Sequence, residues 1–182
     1  MSQEIQKIVS VLREGGVIVY PTEGVYGFGC DPFNLTAVTR LLKIKGRSFN
    51  KGLILIASSW HQVEDLVRTD LEKCYLIKPH RDHPVTWVFP ATKKVPCWIR
   101  GQFNSVAIRV TFHQVTKKIC QKFGGPIVST SANLADHPPL NTFKQVASCF
   151  ISKVDYVVKG RVGKLGRATK ICEVKTGKII RA

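Results

Sequence analysis

The sequence predicts an α/β fold in a single domain. Stretches with helical periodicity alternate with short, β-branched apolar stretches, and no repeat, linker or low-complexity tract interrupts them. The length of 182 residues is typical of one domain, so we expect residues 1–182 to form one unit. The last strands have no helical crossover between them, which indicates a sheet of mixed strand direction.

The predicted helices carry apolar residues three and four positions apart, so that one face of each can pack on a sheet. Asn34 is a favourable N-cap for the second helix, and Gly46 can supply the left-handed residue that ends it. The predicted helices are residues 2–14, 35–45, 58–68, 113–123 and 142–150.

The predicted strands are short apolar runs bounded by glycine, proline or polar residues. The uninterrupted apolar run 53–57 is typical of a strand covered on both faces. Residues 21–33 contain three glycines and two prolines, and we expect a loop there. The predicted strands are residues 17–20, 53–57, 85–89, 106–110, 127–129, 154–158, 171–174 and 178–181.

The charge is strongly basic. The chain has 28 Lys and Arg against 12 Asp and Glu, a net charge of +16, and no acid lies between His83 and Ala135. Such a field attracts polyanions, such as phosphorylated small molecules, nucleic acid or acidic membranes. A solvated basic surface that serves solubility is the alternative.

The six cysteines show no CxxC pair and no histidine at metal-ligand spacing. We therefore expect buried, reduced thiols, as in a cytosolic protein. No apolar run reaches the length of a membrane span, and the N-terminus lacks a signal-peptide pattern, so we expect a soluble cytoplasmic protein that contacts no membrane.

The common nucleotide and hydrolase motifs are absent, including the P-loop, the Rossmann fingerprint, GxSxG and HExxH. Three other segments combine polar groups with strand ends, where α/β sheets place ligands. Hydroxyls and cations together suit a triphosphate, because the cations neutralise it and the hydroxyls bond its oxygens. The segments are Tyr20–Gly27, Lys45-Gly46-Arg47 with Lys51, and Ser129–Asn133.

Each segment has a purely structural alternative. Thr22 and Glu23 can be turn and cap residues, the cations can serve a helix C-terminus, and Ser129–Asn133 can be a turn. Strand parity places Arg109 on the face opposite Ile108 and Val110. A strand arginine beside polar loops suits a carboxylate or a phosphate, whereas a solvent-facing arginine is the competing interpretation.

Five segments occur together in a fixed order: Pro21-Thr22-Glu23 with Tyr26-Gly27, Lys45-x-Arg47 with Lys51-Gly52-Leu53, Pro84-Val85-Thr86, Ala107-Ile108-Arg109-Val110, and Ser129-Thr130-Ser131-Ala132-Asn133. Together they resemble the YrdC family in its short single-domain form. The resemblance runs from about Val17 to Asn133 and continues more weakly to the C-terminus.

The resemblance implies an open α/β domain with a twisted sheet around a large basic cavity. It also implies an enzyme, a nucleotidyltransferase that makes threonylcarbamoyl-AMP and pyrophosphate from L-threonine, bicarbonate or CO2, and ATP with Mg2+. Partner proteins TsaD, TsaB and TsaE would then place the threonylcarbamoyl group on the adenosine beside the anticodon of tRNAs that read codons beginning with A.

The resemblance also implies roles for particular residues. Thr22 and Arg109 would bind threonine, with Arg109 on its carboxylate. The catalytic residues would be Lys45 and Arg47. The ATP-binding residues would be Lys45, Arg47, Lys51, Ser129, Ser131 and Asn133. No protein metal ligand is implied, since Mg2+ would sit on the phosphates.

Two segments depart from the family pattern. Arg81-Asp82-His83 replaces a usual Trp-Pro-Gly, and residues 166–171 replace a Pro-Ser-Thr-Ile-like run, so no ATP contact is assigned there. The extra cations of the second segment suit RNA. The resemblance also implies an alternative function, based on the basic cavity of the family: a non-catalytic protein that binds double-stranded RNA or a ribosome precursor. A third is a carbamoyl transferase of the hydrogenase-maturation kind, but the accessory segments of those proteins are missing.

Overall fold

The computed structural model describes residues 2–68, 83–134 and 137–182. Arg81, Asp82 and Cys74, which the sequence analysis considered, lie outside these ranges. The helices are α1 (Ser2–Arg13), α2 (Leu35–Lys45), α3 (Cys97–Arg100), α4 (Gln114–Phe123) and α5 (Phe143–Phe150). The strands are β1 (Ile18–Pro21), β2 (Tyr26–Gly29), β3 (Ile54–Ala57), β4 (Val85–Pro90), β5 (Ser105–Val110), β6 (Ile127–Ser131), β7 (Tyr156–Val157), β8 (Lys170–Glu173) and β9 (Ile179–Arg181).

The described strands form one sheet in the order β7-β1-β2-β6-β3-β5-β4-β8-β9. The pairs β1–β7, β3–β5 and β4–β8 are parallel, and the other neighbours are antiparallel. The predicted α/β class and mixed strand direction are therefore confirmed.

The ends of α2 agree with the sequence pattern. The Oδ1 atom of Asn34 accepts a hydrogen bond from the backbone N–H of Ala37 at 3.0 Å. Gly46 has a φ of 66°, the left-handed conformation that ends a helix most easily at glycine. Lys45 is therefore held at a defined place, on the last turn of α2.

Two predicted elements were wrong. Residues 26–29 form strand β2 rather than loop, and Gly29 is required there because a Cβ would lie 2.6 Å from the Tyr20 ring. The helix predicted for 58–68 is instead two short 3-10 turns, Trp60–Gln62 and Glu64–Leu66. Here the Gln62 side chain accepts hydrogen bonds from both the backbone N–H and the hydroxyl of Ser58, which satisfies the chain locally without a helix.

The two faces of the sheet are covered differently. One face packs on the larger core, which includes Leu55, Ile108 and Val128. The other face packs against α1 and α4 at one end only, where Ile56 and Ile127 meet apolar side chains of both helices. Burying each such side chain stabilises the fold by about 1.5–3 kcal/mol.

The open end of this second face follows from strand register. Ile56 lies opposite both Ile127 and Arg109, and two residues earlier Ile54 lies opposite Ser129 and Ala107. Apolar side chains therefore give way to polar or small ones along neighbouring strands. The helices stop covering the sheet at this point, and a cavity begins.

The expectation of buried thiols holds only in part. Cys30, Cys120 and Cys172 are buried, whereas Cys97 and Cys149 are exposed. Burial raises the pKa of the Cys120 thiol to about 12, so this thiol stays protonated. Within the described ranges, no helix is long and apolar enough to cross a membrane.

Candidate active site

A cavity of about 320 Å3 occupies the open end of the sheet. Its walls come from the ends of β3, β5 and β6, the loop after β1, and the segment that leads into β8. The described residues that line it include six cations and no carboxylate. The cations are Arg47, Lys51, Arg100, Arg109, Arg167 and Arg181.

Arg109 lies at the inner end of the cavity and is only 5% exposed. Its Nη1 donates to the hydroxyl of Thr169 at 2.8 Å, and its Nη2 donates to the hydroxyl of Ser129 at 3.3 Å. Each terminal nitrogen of a guanidinium carries two N–H groups, so each keeps one for a ligand. The prediction that Arg109 faces away from Ile108 is confirmed, and its face is the cavity rather than solvent.

Glu23 is the carboxylate beside Arg109. Its Oε1 accepts hydrogen bonds from the Thr111 hydroxyl and from the backbone N–H of Phe112, and its Oε2 lies 3.6 Å from Nε of Arg109. Burial opposes ionisation, but Arg109 and the bond from Thr111 together lower the pKa of Glu23 below its ordinary value. Glu23 is therefore an ionised, fixed partner of Arg109.

Thr22 lines the cavity and is 4% exposed. Its hydroxyl donates to the carbonyl oxygen of Val25 at 2.7 Å. Because its proton is already used in this bond, the hydroxyl oxygen can act toward a molecule in the cavity only as an acceptor. An amino or hydroxyl group of a small substrate is the complementary donor.

Lys45, for which the resemblance implies ATP-binding and catalytic roles, is not among the described residues that line the cavity. It is 5% exposed, and its Nζ donates to the backbone oxygen of Ser131 at 2.7 Å and to Oδ1 of Asn133 at 2.9 Å. Burial, with a smaller effect of Arg47, lowers the pKa of Lys45 to about 8. Lys45 therefore stays charged at neutral pH, and it ties α2 to the end of β6.

Arg47 and Lys51 both line the cavity. The Nη2 of Arg47 donates to the carbonyl oxygens of Lys51 and Gly52, at 3.1 and 3.0 Å. These bonds hold the loop before β3 against the arginine. The structure thus brings together two of the three cations that the sequence grouped, with Lys45 buried behind them.

Ser129 and Ser131 also line the cavity, but Asn133 does not. The Asn133 carboxamide accepts from Lys45, and its Nδ2 donates to the carbonyl oxygens of Leu134 and His137. Its polar atoms are thus engaged within the protein. This arrangement does not support a direct contact between Asn133 and a nucleotide. Asn133 instead holds the Lys45 ammonium group.

The C-terminal segment also contributes to the site, although no sequence pattern predicts its role. Backbone N–H groups of Gly163 and Leu165 donate to the carbonyl oxygens of Thr22 and Glu23, and Arg167, Thr169 and Arg181 follow on the cavity wall. No local spacing signals these contacts, because they join residues far apart in the chain. At Gly24 the backbone approaches the C-terminal segment so closely that a Cβ would lie 1.8 Å from the Arg167 oxygen. In the sequence, Gly24 indicates only a glycine-rich loop.

The described residues of the cavity wall include no His, Cys, Asp or Glu side chain. Across residues 2–68, 83–134 and 137–182, no three His, Cys, Asp or Glu side chains lie close enough together to hold a metal ion. The lining residues instead suit an anion whose own oxygens carry any accompanying cation.

Comparison with known proteins identifies the family. The Sua5/YciO/YrdC family model, described as "Telomere recombination", matches residues 10–182. The chain belongs to this family. It is 48% identical over 181 residues to the threonylcarbamoyl-AMP synthase of Coxiella burnetii (strain RSA 493 / Nine Mile phase I), covering 99% of this chain and 97% of that one.

Solved structures of the Sua5/YciO/YrdC family agree with the fold. The P. abyssi Sua5 crystal structure, complexed with L-threonine, matches with a TM-score of 0.88 and 28% identity over 95% of this chain. This chain spans about half of that Sua5 chain, 51% of it. E. coli YciO matches with a TM-score of 0.86 at 21% identity, covering 100% of this chain and 89% of that one, which supports the fold alone.

Proposed function

We propose that this chain is a threonylcarbamoyl-AMP synthase, which forms threonylcarbamoyl-AMP and pyrophosphate from L-threonine, bicarbonate or CO2, and ATP. The observation that carries the proposal is a cavity lined by a buried arginine, Arg109, and by the less buried cations Arg47 and Lys51, with no carboxylate among its described lining residues. A cavity of this kind suits two anionic substrates, one with a carboxylate and one with a polyphosphate.

The two ends of the cavity are far enough apart for both substrates. Ile56 lies opposite Arg109 on the neighbouring strand, and Gly52 lies four residues before Ile56. Four residues correspond to roughly 13 Å along an extended strand. Threonine held through its carboxylate by Arg109 therefore leaves the other end of the cavity free for ATP. Arg47 and Lys51 are then placed for the phosphates of ATP.

The chemistry follows from this placement. The neutral threonine amine forms a C–N bond to CO2 and loses one proton to solvent, which gives a carbamate anion. A carbamate oxygen then attacks the α-phosphorus. One P–O bond forms, the bond from the α-phosphorus to the bridging oxygen breaks, and pyrophosphate leaves. Negative charge grows at one centre in this step, so preorganised cations stabilise the transition state more than the ground state. Mg2+ enters as part of the nucleotide substrate.

The serines of β6 complete the proposed nucleotide site. Ser129 and Ser131 present hydroxyls on the cavity wall, and Lys45 fixes the chain at Ser131 through two hydrogen bonds, to its backbone oxygen and its hydroxyl. The proposed role of Lys45 is to hold this segment and to add its charge from behind the wall. Asn133 serves the same purpose by accepting from Lys45.

The product implies a further transfer step elsewhere. A threonylcarbamoyl adenylate is a mixed anhydride, and its acyl group passes readily to an amine. We expect TsaD, with TsaB and TsaE, to carry it to tRNA adenosine in the cytoplasm. Direct contact between this chain and tRNA is a separate possibility, which the net charge of +16 favours.

The test is a product assay. Purified protein is incubated with ATP, Mg2+, L-threonine and labelled bicarbonate, and the products are separated by chromatography. We expect a labelled adenylate and pyrophosphate, both dependent on threonine. The variant Arg47→Ala should lower turnover by about two orders of magnitude, whereas Arg13→Ala, an exposed arginine on α1, should not change it.

Two outcomes would contradict the proposal. Product formation without threonine would exclude threonine as the substrate. Absence of both product and ATP binding, together with tight binding of double-stranded RNA, would favour the RNA-binding alternative.

A further inference from the structure

Arg109 and Glu23 form a buried pair whose facing atoms do not reach each other. Nε of Arg109 and Oε2 of Glu23 are 3.6 Å apart, and neither has a hydrogen-bond partner among the described residues. The side chains are only 6% and 9% exposed. Buried polar atoms without a partner are uncommon, and they often mark a functional site.

The carboxylate is the rigid member of this pair. The Thr111 hydroxyl and the Phe112 N–H both hold Oε1 of Glu23. Oε2 therefore has a fixed direction, toward Nε of Arg109. Among the described residues, the hydroxyls of Thr169 and Ser129, which are neutral, accept from the other two nitrogens of Arg109.

We infer that Glu23 is the positioning residue of Arg109. Its negative charge, 3.6 Å from Nε, attracts the Nε side of the guanidinium, so that the remaining N–H groups on Nη1 and Nη2 point into the cavity to receive the carboxylate of the amino-acid substrate. This inference rests on the proposed function, because it names threonine as the ligand. Glu23 itself is not among the described residues that line the cavity.

Positioning and simple electrostatics predict opposite results when the charge of Glu23 is removed. A negative charge beside the site repels a substrate carboxylate, so electrostatics alone predicts that Glu23→Gln tightens threonine binding. Positioning predicts weaker threonine binding. In the variant an amide N–H would face the Nε–H of Arg109, and the guanidinium would no longer be held in one orientation. The sign of the change therefore separates the two explanations.

The experiment measures threonine and ATP binding separately by calorimetry, without turnover. For Glu23→Gln we expect threonine affinity to fall about tenfold or more, because a charge-assisted contact is lost, while ATP affinity changes less than about threefold. L-threoninol, which lacks the carboxylate, should bind wild type and Glu23→Gln equally. A purely structural role of Glu23 would weaken threonine and threoninol alike.

The matched control is Asp155→Asn. Asp155 is a partly buried carboxylate that also pairs with an arginine, Arg40, and accepts a backbone N–H, that of Val17, but it lies away from the cavity. Its loss should lower stability without a change in threonine affinity. Glu23→Asp, which keeps the charge but shortens the side chain, should give an intermediate loss of threonine affinity and serves if Glu23→Gln does not fold.

The outcomes are distinct. Unchanged or tighter threonine binding in Glu23→Gln, or in Glu23→Asp where that variant alone folds, would overturn the positioning role and leave the proposed function standing. Wild-type protein that binds ATP but not threonine would overturn the proposed function, and the inference with it.

Discussion

Lys45 and Ser131 are 86 residues apart in the chain, and Nζ of Lys45 donates to the backbone oxygen of Ser131 at 2.7 Å. This bond joins the last turn of α2 to the end of β6. Two of the three polar segments that the sequence singled out therefore meet through a buried ammonium group. The contact supports the cavity wall and adds positive charge behind it.

Replacement of Lys45 by Met should destabilise the protein. The oxygens of Ser131 and Asn133 that now accept from Nζ would lose their partner, which costs about 1–3 kcal/mol of the free energy of unfolding. Urea denaturation measures this change. The control is Lys43→Met on the exposed side of the same helical turn, which should change stability by less than about 0.5 kcal/mol. Equal effects of the two substitutions would contradict the proposed bracing role.

Replacement of Arg109 by Lys should affect threonine far more than ATP. Lysine keeps the positive charge but lacks the planar set of donors that contacts Thr169 and Ser129 and that, under the proposed function, also binds the threonine carboxylate. We expect the KM for threonine to rise about 10- to 100-fold, and the KM for ATP to change less than about threefold. Steady-state pyrophosphate release gives both values. If the KM values for threonine and ATP rise equally, the assignment of Arg109 to the threonine carboxylate is wrong.

Replacement of Gly24 by Ala should displace the C-terminal segment from the cavity. A Cβ at residue 24 would lie 1.8 Å from the backbone oxygen of Arg167, and backbone cannot move aside as a side chain does. Such overpacking costs about 1–3 kcal/mol. The expected result is a lower Tm and faster tryptic cleavage near Arg167.

The control for that experiment is Gly125→Ala. A Cβ there meets nothing within 4 Å, so the Tm should hold or rise slightly. If Gly24→Ala behaves like Gly125→Ala, the C-terminal segment does not depend on the close approach at Gly24.

The stability contributed by Glu23 should depend on pH in one direction. Burial opposes its ionisation, but Arg109 and Thr111 lower the folded-state pKa below the ordinary value of 4.5. A carboxyl with a depressed pKa stabilises the fold above its unfolded pKa, and this contribution is lost as pH falls through the folded value. The difference in free energy of unfolding between wild type and Glu23→Gln should be constant near neutral pH and shrink below about pH 4. Urea titrations across this range test it, and a difference that widens in acid would contradict it.

Local sequence was informative where a few neighbouring residues decide the structure. Asn34 and Gly46 set the ends of α2, and the alternation around Arg109 gave its face correctly, because capping and strand parity act within a few positions. It failed at residues 26–29 and 58–68. In the first, Gly29 allows close packing against Tyr20, and in the second, a side chain replaces helical hydrogen bonds.

The sequence by itself determined the α/β class, the basic charge and the polar residues from which the candidate site is made. Only the tertiary structure decided that Lys45 is buried, that Asn133 turns to Lys45, and that Thr169 meets Arg109 across 60 residues. The physical reason is range. Helix, strand and cap preferences are properties of adjacent residues, whereas the burial and pairing of charges depend on strand register and on which distant segment closes the cavity.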